Sequence, residues 1–272
     1  LRLGKLKNNY EIIKKNQLYN FDLQKKLGNN KRISFLYPIL FKKIKKNNLI
    51  LVDDGKYAFK VIKKNSKTIF TKCLSQNFKL KDNKSIHIKN ISLPFTNLTQ
   101  KDKHDIKTAK KLGCNWIALS YLQNAKLIKQ ARKLSGKHIG IISKIENKIA
   151  LKNINEIIKE TDAVMIARGD LALDVGHSEV PKIQLGLIKK CNNFSKSVIV
   201  ATQMLESMID NYTATRAEVN DIATAIFQGA DTVMLSAETA VGRYPVQSVK
   251  TMVKTILSTE KYKKEHIEDF KS

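Results

Sequence analysis

The sequence has few of the residues that mark secreted, fibrous or membrane-spanning chains. Its three cysteines lie far apart among 272 residues, without a CxxC pair or an even number for disulfides. Four prolines and eleven glycines are too few for a disordered or fibrous chain. No apolar run reaches the ~18 residues of a membrane span, and no secretory signal opens the chain. We therefore expect a folded protein of the reducing cytoplasm that does not associate with membranes.

Three common functional motifs are absent as well. There is no GxxxxGK[ST], which excludes a P-loop, and no GxGxxG after a predicted strand, which disfavours an open dinucleotide-binding sheet. The HExxH signature of zinc proteases is missing too. The chain begins at Leu1 rather than at a methionine, so we expect a fragment or a processed chain.

Acidic side chains are scarce relative to basic ones. The chain has 50 Lys+Arg against 24 Asp+Glu, and residues 1–90 hold 23 of the former and 5 of the latter. Such a charge could attract nucleic acid, an anionic surface or polyphosphate ligands. Only six of the basic residues are Arg, whereas Lys, Asn and Ile are abundant throughout. Selection for phosphate binding would favour Arg, whose guanidinium offers two parallel donors, so a compositional bias explains the charge better.

Two patterns of apolar residues divide the chain. Residues 4–90 show short apolar stretches between turn clusters, a pattern typical of a small β-barrel or sandwich. After about Ile91, apolar runs alternate with helical patterns, which predicts parallel βαβ units. Examples of the strands predicted within residues 4–90 are Tyr10–Ile13, Arg32–Phe35, Leu49–Val52, Ala58–Ile62 and Thr68–Cys73. The strands predicted after Ile91 are Trp116–Tyr121, Ile139–Glu146, Ala163–Asp170, Val198–Met204 and Thr232–Glu238.

Each run of the second part ends in a polar residue, and the carboxyl ends of the strands carry the active site in a (β/α) barrel. Residues two apart in a strand face the same side, so Lys144 and Glu146 point together. They form either a structural ion pair or part of a metal-and-phosphate site. Asp170, at the matching height on the next strand, would complete a pair of carboxylates suited to Mg²⁺ or Mn²⁺. Gly169 would allow close approach of a ligand, and Thr202 could hydrogen-bond a substrate.

Several short motifs, in one order, resemble the pyruvate kinase family. The resemblance is strong over residues 91–252 and looser before them. The motifs are Val52-Asp53-Asp54-Gly55, Ile91-Ser92-Leu93-Pro94, Lys101-Asp102, Ile117-Ala118-Leu119-Ser120, Ser143-Lys144-Ile145-Glu146-Asn147, Ala167-Arg168-Gly169-Asp170-Leu171, Ala201-Thr202-Gln203-Met204 with Leu205-Glu206-Ser207-Met208-Ile209, Thr215-Arg216-Ala217-Glu218 and Met234-Leu235-Ser236-Ala237-Glu238-Thr239-Ala240.

The resemblance implies a fold and its division into domains. It implies an α/β chain with a partial (β/α)8 TIM-type barrel, strands four to eight, and an inserted small β-barrel lid. Residues 1–3 would end the third barrel strand, residues 4–88 would form the lid, and residues 89–272 would form the second half of the barrel. Five strands cannot close an eight-stranded barrel, so we expect exposed sheet edges.

The resemblance also implies a reaction, the transfer of a phosphoryl group from phosphoenolpyruvate to ADP, giving pyruvate and ATP. Lys144 would stabilise the phosphoryl group, and Glu146 and Asp170 would hold Mg²⁺ or Mn²⁺. The backbone of Gly169 and Asp170, with Thr202, would hold the substrate carboxylate, and Thr202 would help to protonate the enolate. Two residues before and within the lid would contact the nucleotide, namely Arg2 and Lys84.

Other parts of the family pattern are missing or altered. The K⁺ site would lie largely outside this chain, and a homotetramer is expected only of a full-length protein. The hinge sequence after Lys84 departs from the family, as do Ala172 and Ala237, which replace glycines. We therefore expect residues 1–272 alone to be inactive. The rival interpretations are a metal-dependent lyase acting on phosphoenolpyruvate or oxo acids, a basic nucleic-acid-binding module without interleaved aromatics, and a non-catalytic homologue.

Overall fold

A computed structural model describes residues 1–89, 91 and 97–266. The chain divides into two compact units, Leu1–Pro94 and Phe95–Ser272. Residues Ser92–Pro94 of the Ile91–Pro94 motif lie outside the described residues. Within the described ranges, no helix is both long and apolar enough to cross a membrane.

The first unit is built almost entirely of short strands. Six of them form one sheet in the order β3-β2-β6-β5-β4-β8, and β1 pairs with β7 in an antiparallel ribbon. All sheet pairings are antiparallel except β2 with β3. The elements are β1 (Tyr10–Ile13), β2 (Leu18–Asp22), β3 (Arg32–Ser34), α1 (Pro38–Lys43), β4 (Leu49–Val52), β5 (Tyr57–Lys64), β6 (Thr68–Cys73), β7 (Phe78–Lys81) and β8 (Ile86–Ile88).

The core of this unit is one cluster of apolar side chains from alternate strand positions. Tyr19, Phe21 and Phe59 are fully buried at its centre, with ring centroids 5.3–5.8 Å apart. Three strands, β2, β7 and β8, were not among the named examples, although residues 4–90 were predicted to form short strands. They are short or contain polar residues, so their alternation is hard to distinguish from a loop.

The second unit alternates strands with helices, as predicted. Its five strands are parallel and follow chain order, β13-β12-β11-β10-β9. The elements are α2 (Gln100–Lys111), β9 (Trp116–Leu119), α3 (Ala125–Ser135), β10 (Gly140–Ile145), α4 (Lys148–Lys152), α5 (Ile154–Glu160), β11 (Ala163–Ala167), α6 (Arg168–Val175), α7 (Val180–Asn193), β12 (Ser197–Ala201), α8 (Arg216–Phe227), β13 (Thr232–Met234), α9 (Ala237–Ala240) and α10 (Pro245–Glu265).

Burial in this sheet falls from its centre to its edges. Every residue of the central strand β11 is buried, as expected for a parallel strand covered on both faces. The edge strands β9 and β13 are largely exposed or half-buried, and Trp116 on β9 is 53% exposed. The expected exposure of the sheet edges is therefore observed.

The strands end earlier than the sequence pattern predicted, and this changes the position of Asp170. We expected a strand from Ala163 to Asp170, with Asp170 level with Glu146. Instead β11 ends at Ala167. Because Ile145 is paired with Ile166, the residue level with Glu146 is Ala167 and not Asp170. Asp170 lies in the first turn of α6, because the chain turns into a helix at Arg168. The prediction of equal height was wrong, although the residue stays at the same edge of the sheet.

Candidate active site

The register of β9 and β10 places Lys144 beside Ser120. Leu119 is paired with Ser143, so the next residues of the two parallel strands are neighbours. The Lys144 ammonium donates to the Ser120 hydroxyl at 3.0 Å and lies 2.6 Å from Glu146 Oε1. The prediction that Lys144 and Glu146 point together is thus confirmed by a direct ion pair.

Glu146 is a buried carboxylate, only 2% exposed. The backbone N–H of Tyr121 donates to its Oε2 at 2.6 Å. Its Oε1 lies 2.6 Å from the Lys144 ammonium, which is the partner of this oxygen. Burial raises the pKa of Glu146 and the Asp170 charge adds to this, while Lys144 and the Tyr121 N–H oppose it. Because the net shift of the pKa is upward, Lys144 and the Tyr121 N–H offset the cost of burial only in part, and a bound cation would offset more of it.

Asp170 reaches the same region from the first turn of α6. Its Oδ1 accepts a hydrogen bond of 3.3 Å from the Tyr121 hydroxyl, and its charge acts on Glu146. The structure therefore brings together Lys144, Glu146 and Asp170, as the sequence predicted.

These carboxylates fit a divalent cation that keeps positions open for other ligands. Across the described part of the chain, no cluster of three or more His, Cys, Asp or Glu side chains could hold a metal alone. Two carboxylates, Glu146 and Asp170, suit Mg²⁺ or Mn²⁺, which is bound through one or two carboxylates plus water and substrate oxygens.

Thr202 joins the site through Gly169. The N–H of Gly169 donates to Thr202 Oγ1 at 2.8 Å, which leaves the hydroxyl hydrogen available to another acceptor. Thr202 and Gln203 have φ angles of 74° and 55°, in the left-handed region. This region is unfavourable for residues other than glycine, and most of all for a β-branched residue such as Thr202. A Cβ at Gly169 would lie 3.4 Å from that hydroxyl oxygen, an ordinary van der Waals distance, so this contact does not itself require glycine.

Arg168 supports the strained turn, a role that the sequence analysis did not assign. Its Nη2 donates to the carbonyls of Thr202 at 2.7 Å and Gln203 at 3.3 Å. Its Nη1 lies 2.6 Å from Asp221 Oδ2 on α8. Arg168 is buried, and a fork of donors is what an Arg offers and a Lys lacks.

Two glutamates, Glu238 and Glu218, accept hydrogen bonds from the segment that follows Thr202, at Leu205 and Ser207. Glu238, predicted as a strand end, lies in α9, is 3% exposed, and accepts from the N–H groups of Leu205 and Ser236. Glu218 accepts from the N–H and hydroxyl groups of both Ser207 and Thr215. Of these contacts, sequence could have indicated only those between Glu218 and Thr215, because Thr215-x-x-Glu218 has the spacing of a capping box.

The predicted nucleotide-binding residues, Arg2 and Lys84, lie together in the first unit. Arg2 forms an antiparallel bridge with Ser85, next to Lys84, and its Nη1 donates to the carbonyl of Asn83 at 2.8 Å. Lys84 forms an ion pair of 2.7 Å with Asp53 in the Val52–Gly55 motif. The departures at Ala172 and Ala237 are tolerated, because both lie in helices and neither has a positive φ angle.

The chain is similar to known proteins over almost all of its length. The family profile described as "Pyruvate kinase, barrel domain" matches residues 1–249. A pyruvate kinase of Buchnera aphidicola subsp. Baizongia pistaciae is 40% identical over 269 residues, which cover 96% of this chain and 56% of that protein. A pyruvate kinase of Geobacillus stearothermophilus is 40% identical, with 96% of this chain and 45% of that protein covered.

A solved structure shows the same fold. The crystal structure of a pyruvate kinase from Cryptosporidium parvum aligns with a TM-score of 0.82 at 33% identity, covering 96% of this chain and 55% of that one. The predicted α/β class with a partial barrel is thus confirmed. The chain spans about half the length of the curated relatives it matches. With its profile match over most of its length, the chain belongs to the pyruvate kinase family.

Proposed function

We propose that the protein in which this chain occurs is a pyruvate kinase, a glycolytic phosphotransferase of the cytoplasm. The observation that carries this proposal is the cluster of one ammonium and two carboxylates, Lys144, Glu146 and Asp170, at one edge of a parallel sheet. Phosphoryl transfer depends mainly on positioning and on neutralisation of the phosphoryl oxygens, and this cluster supplies both.

Each residue has a defined task in this proposal. Glu146 and Asp170 hold Mg²⁺ or Mn²⁺, which when bound neutralises phosphoryl and substrate oxygens. Lys144, 24% exposed at its side chain, presents its ammonium to the transferring phosphoryl group. The phosphorus–oxygen bond of phosphoenolpyruvate breaks as a β-phosphate oxygen of ADP bonds to phosphorus, and the enolate takes a proton at its methylene carbon.

The substrate carboxylate is assigned to the backbone of Gly169 and Asp170 and to the hydroxyl of Thr202. The N–H of Gly169 now bonds to Thr202, so a carboxylate has to share or replace this contact. The same hydroxyl is the proposed route for the proton to the enolate. Arg2 and Lys84 are proposed to contact the nucleotide phosphates. K⁺ and a homotetrameric assembly stay predictions for the full-length protein.

The decisive test is an assay of the protein at its natural full length. With phosphoenolpyruvate, ADP, Mg²⁺ and K⁺, we expect pyruvate and ATP in equal amounts. Lys144→Gln should lower kcat by a factor of about 10²–10³, as for loss of one oxyanion-stabilising group. The matched control is Lys148→Gln, because Lys148 is an exposed lysine four residues away.

Two further results would contradict the proposal. Carbon–carbon cleavage of an oxo acid without ATP formation would favour the lyase, and absence of both activities would favour a non-catalytic homologue. Residues 1–272 alone are expected to give no pyruvate, and formation of pyruvate by them would refute that expectation.

A further inference from the structure

The turn that follows β9 contacts Lys144, Glu146 and Asp170. Ser120 accepts a hydrogen bond from the Lys144 ammonium at 3.0 Å. Tyr121 donates twice, through its backbone N–H to Glu146 Oε2 at 2.6 Å and through its hydroxyl to Asp170 Oδ1 at 3.3 Å. One residue, Tyr121, thus joins the two carboxylates that come from different strand ends.

The backbone of Tyr121 is held in an unusual conformation. Its φ angle is 52°, in the left-handed region that bulky residues rarely adopt, at a cost on the order of 1–3 kcal/mol. Such a conformation persists only where the surrounding structure holds it. In this conformation the backbone N–H of Tyr121 contacts Glu146 while its phenol contacts Asp170.

The chain just after Tyr121 is fixed to two neighbouring helices. The Asn147 side chain, which caps α4, donates to the carbonyl of Leu122 at 3.0 Å. The Asn153 side chain, at the start of α5, donates to the carbonyl of Gln123 at 2.8 Å. These bonds make the turn a fixed support rather than a loop that follows its ligands.

We propose that Tyr121 is a positioning residue that sets the orientation and separation of Glu146 and Asp170 for a shared divalent cation. The inference rests on the proposed function in taking these two carboxylates as the cation ligands. Hydrogen bonds from outer residues orient metal-binding side chains, and their loss costs about 10–100-fold in metal affinity. The Ile117–Ser120 motif ends one residue before Tyr121, so the resemblance implies no role for Tyr121.

The test is direct Mn²⁺ binding to the full-length protein, with free Mn²⁺ measured by electron paramagnetic resonance. Tyr121→Phe removes only the hydroxyl group and should raise the Kd for Mn²⁺ about tenfold. Tyr212→Phe is the matched control, since Tyr212 is an exposed tyrosine of the same unit that packs on Tyr244, and its Kd should equal that of the wild type. An unchanged Kd in Tyr121→Phe overturns the inference.

Steady-state kinetics separate positioning from a general loss of structure. Tyr121→Phe should raise the KM for Mn²⁺ about tenfold with kcat within about twofold of wild type, because the transferring group meets Lys144 and not the phenol. A fall in kcat with an unchanged KM for Mn²⁺ overturns the inference. If the wild-type protein forms pyruvate and ATP, that result leaves the proposed function intact, so failure of the inference and failure of the proposed function are distinguishable.

A measurement on the wild-type sequence covers the case in which the variant does not fold. In protein labelled with 3-fluorotyrosine, bound Mn²⁺ should broaden the Tyr121 resonance more than that of any other tyrosine. Stronger broadening of another tyrosine overturns the inference. Absence of Mn²⁺ binding by the wild type overturns it together with the metal site.

Discussion

Nη2 of Arg168 donates to the carbonyl oxygen of Thr202 at 2.7 Å, which ties the start of α6 to a turn whose backbone is strained. The same guanidinium pairs with Asp221 on α8. Gly169, which follows Arg168, and Thr202 itself are the residues proposed to bind the substrate. The geometry of the proposed substrate site therefore depends on a buried arginine that does not enter it.

Replacement of Arg168 should destabilise the fold. Arg168→Met leaves the carbonyls of Thr202 and Gln203 without this donor, and Asp221 without its partner, so we expect a loss of about 2–4 kcal/mol in the free energy of unfolding. Urea denaturation measures it. Arg216→Met, at an exposed arginine, should stay within about 0.5 kcal/mol of wild type. Equal stability of the two variants would show that the Arg168 contacts add nothing.

The hydroxyl of Thr202 should matter for protonation. Thr202→Val keeps the shape of the side chain but removes the hydroxyl, so kcat of the full-length protein should fall by about 10²–10⁴. Thr202→Ser retains the group and should stay within about tenfold of wild type. The readouts are kcat for pyruvate formation and incorporation of solvent deuterium into its methyl group. Full activity of Thr202→Val would exclude the hydroxyl from the proton path.

Glu218 should stabilise the chain in a pH-dependent way. Burial alone would raise the pKa of Glu218, but hydrogen bonds from Ser207 and Thr215 bring it below its ordinary value of 4.5. A lowered folded-state pKa gives stability that is present above pH 4.5 and is lost as pH falls through the lowered value.

The variant that tests this is Glu218→Gln, which keeps the side-chain length without the charge. At pH 7 it should be less stable than wild type by about 1 kcal/mol, the typical contribution of a capping contact. The difference should shrink below pH 4.5 in urea denaturation followed by circular dichroism. A difference that is constant with pH would mean that the charge of Glu218 has no part in it.

Mn²⁺ should stabilise the protein against heat, and less so in acid. Bound ligand at 100 times its Kd adds about 2.7 kcal/mol to the free energy of unfolding. Burial raises the pKa of Glu146, so its protonation competes with the cation as pH falls toward and through that raised value.

The measurement is the shift in Tm with and without Mn²⁺ across this pH range. Glu146→Gln should abolish the shift at every pH, whereas Glu260→Gln, at an exposed position of α10, should leave it unchanged. A shift that survives in Glu146→Gln would place the cation elsewhere.

Much of the second unit is predictable because its signals are local. The apolar runs identified all five parallel strands. In the first unit short strands were predicted, but β2, β7 and β8 were not individually identified, since three to five residues with polar members carry little periodicity. The position of Asp170 was misjudged because a continuous motif does not show where a strand becomes a helix.

The sequence alone determined the family, the α/β order of elements and the residues that bear charge at the strand ends, because these follow from residue type and spacing. Only the tertiary structure showed that Tyr121 joins Glu146 to Asp170 and that Arg168 and Glu238 hold the turn at Thr202. Contacts of this kind connect residues 25 to 49 positions apart in the chain. They depend on strand register, left-handed backbone at Tyr121 and Thr202, and burial, none of which a local pattern of residues specifies.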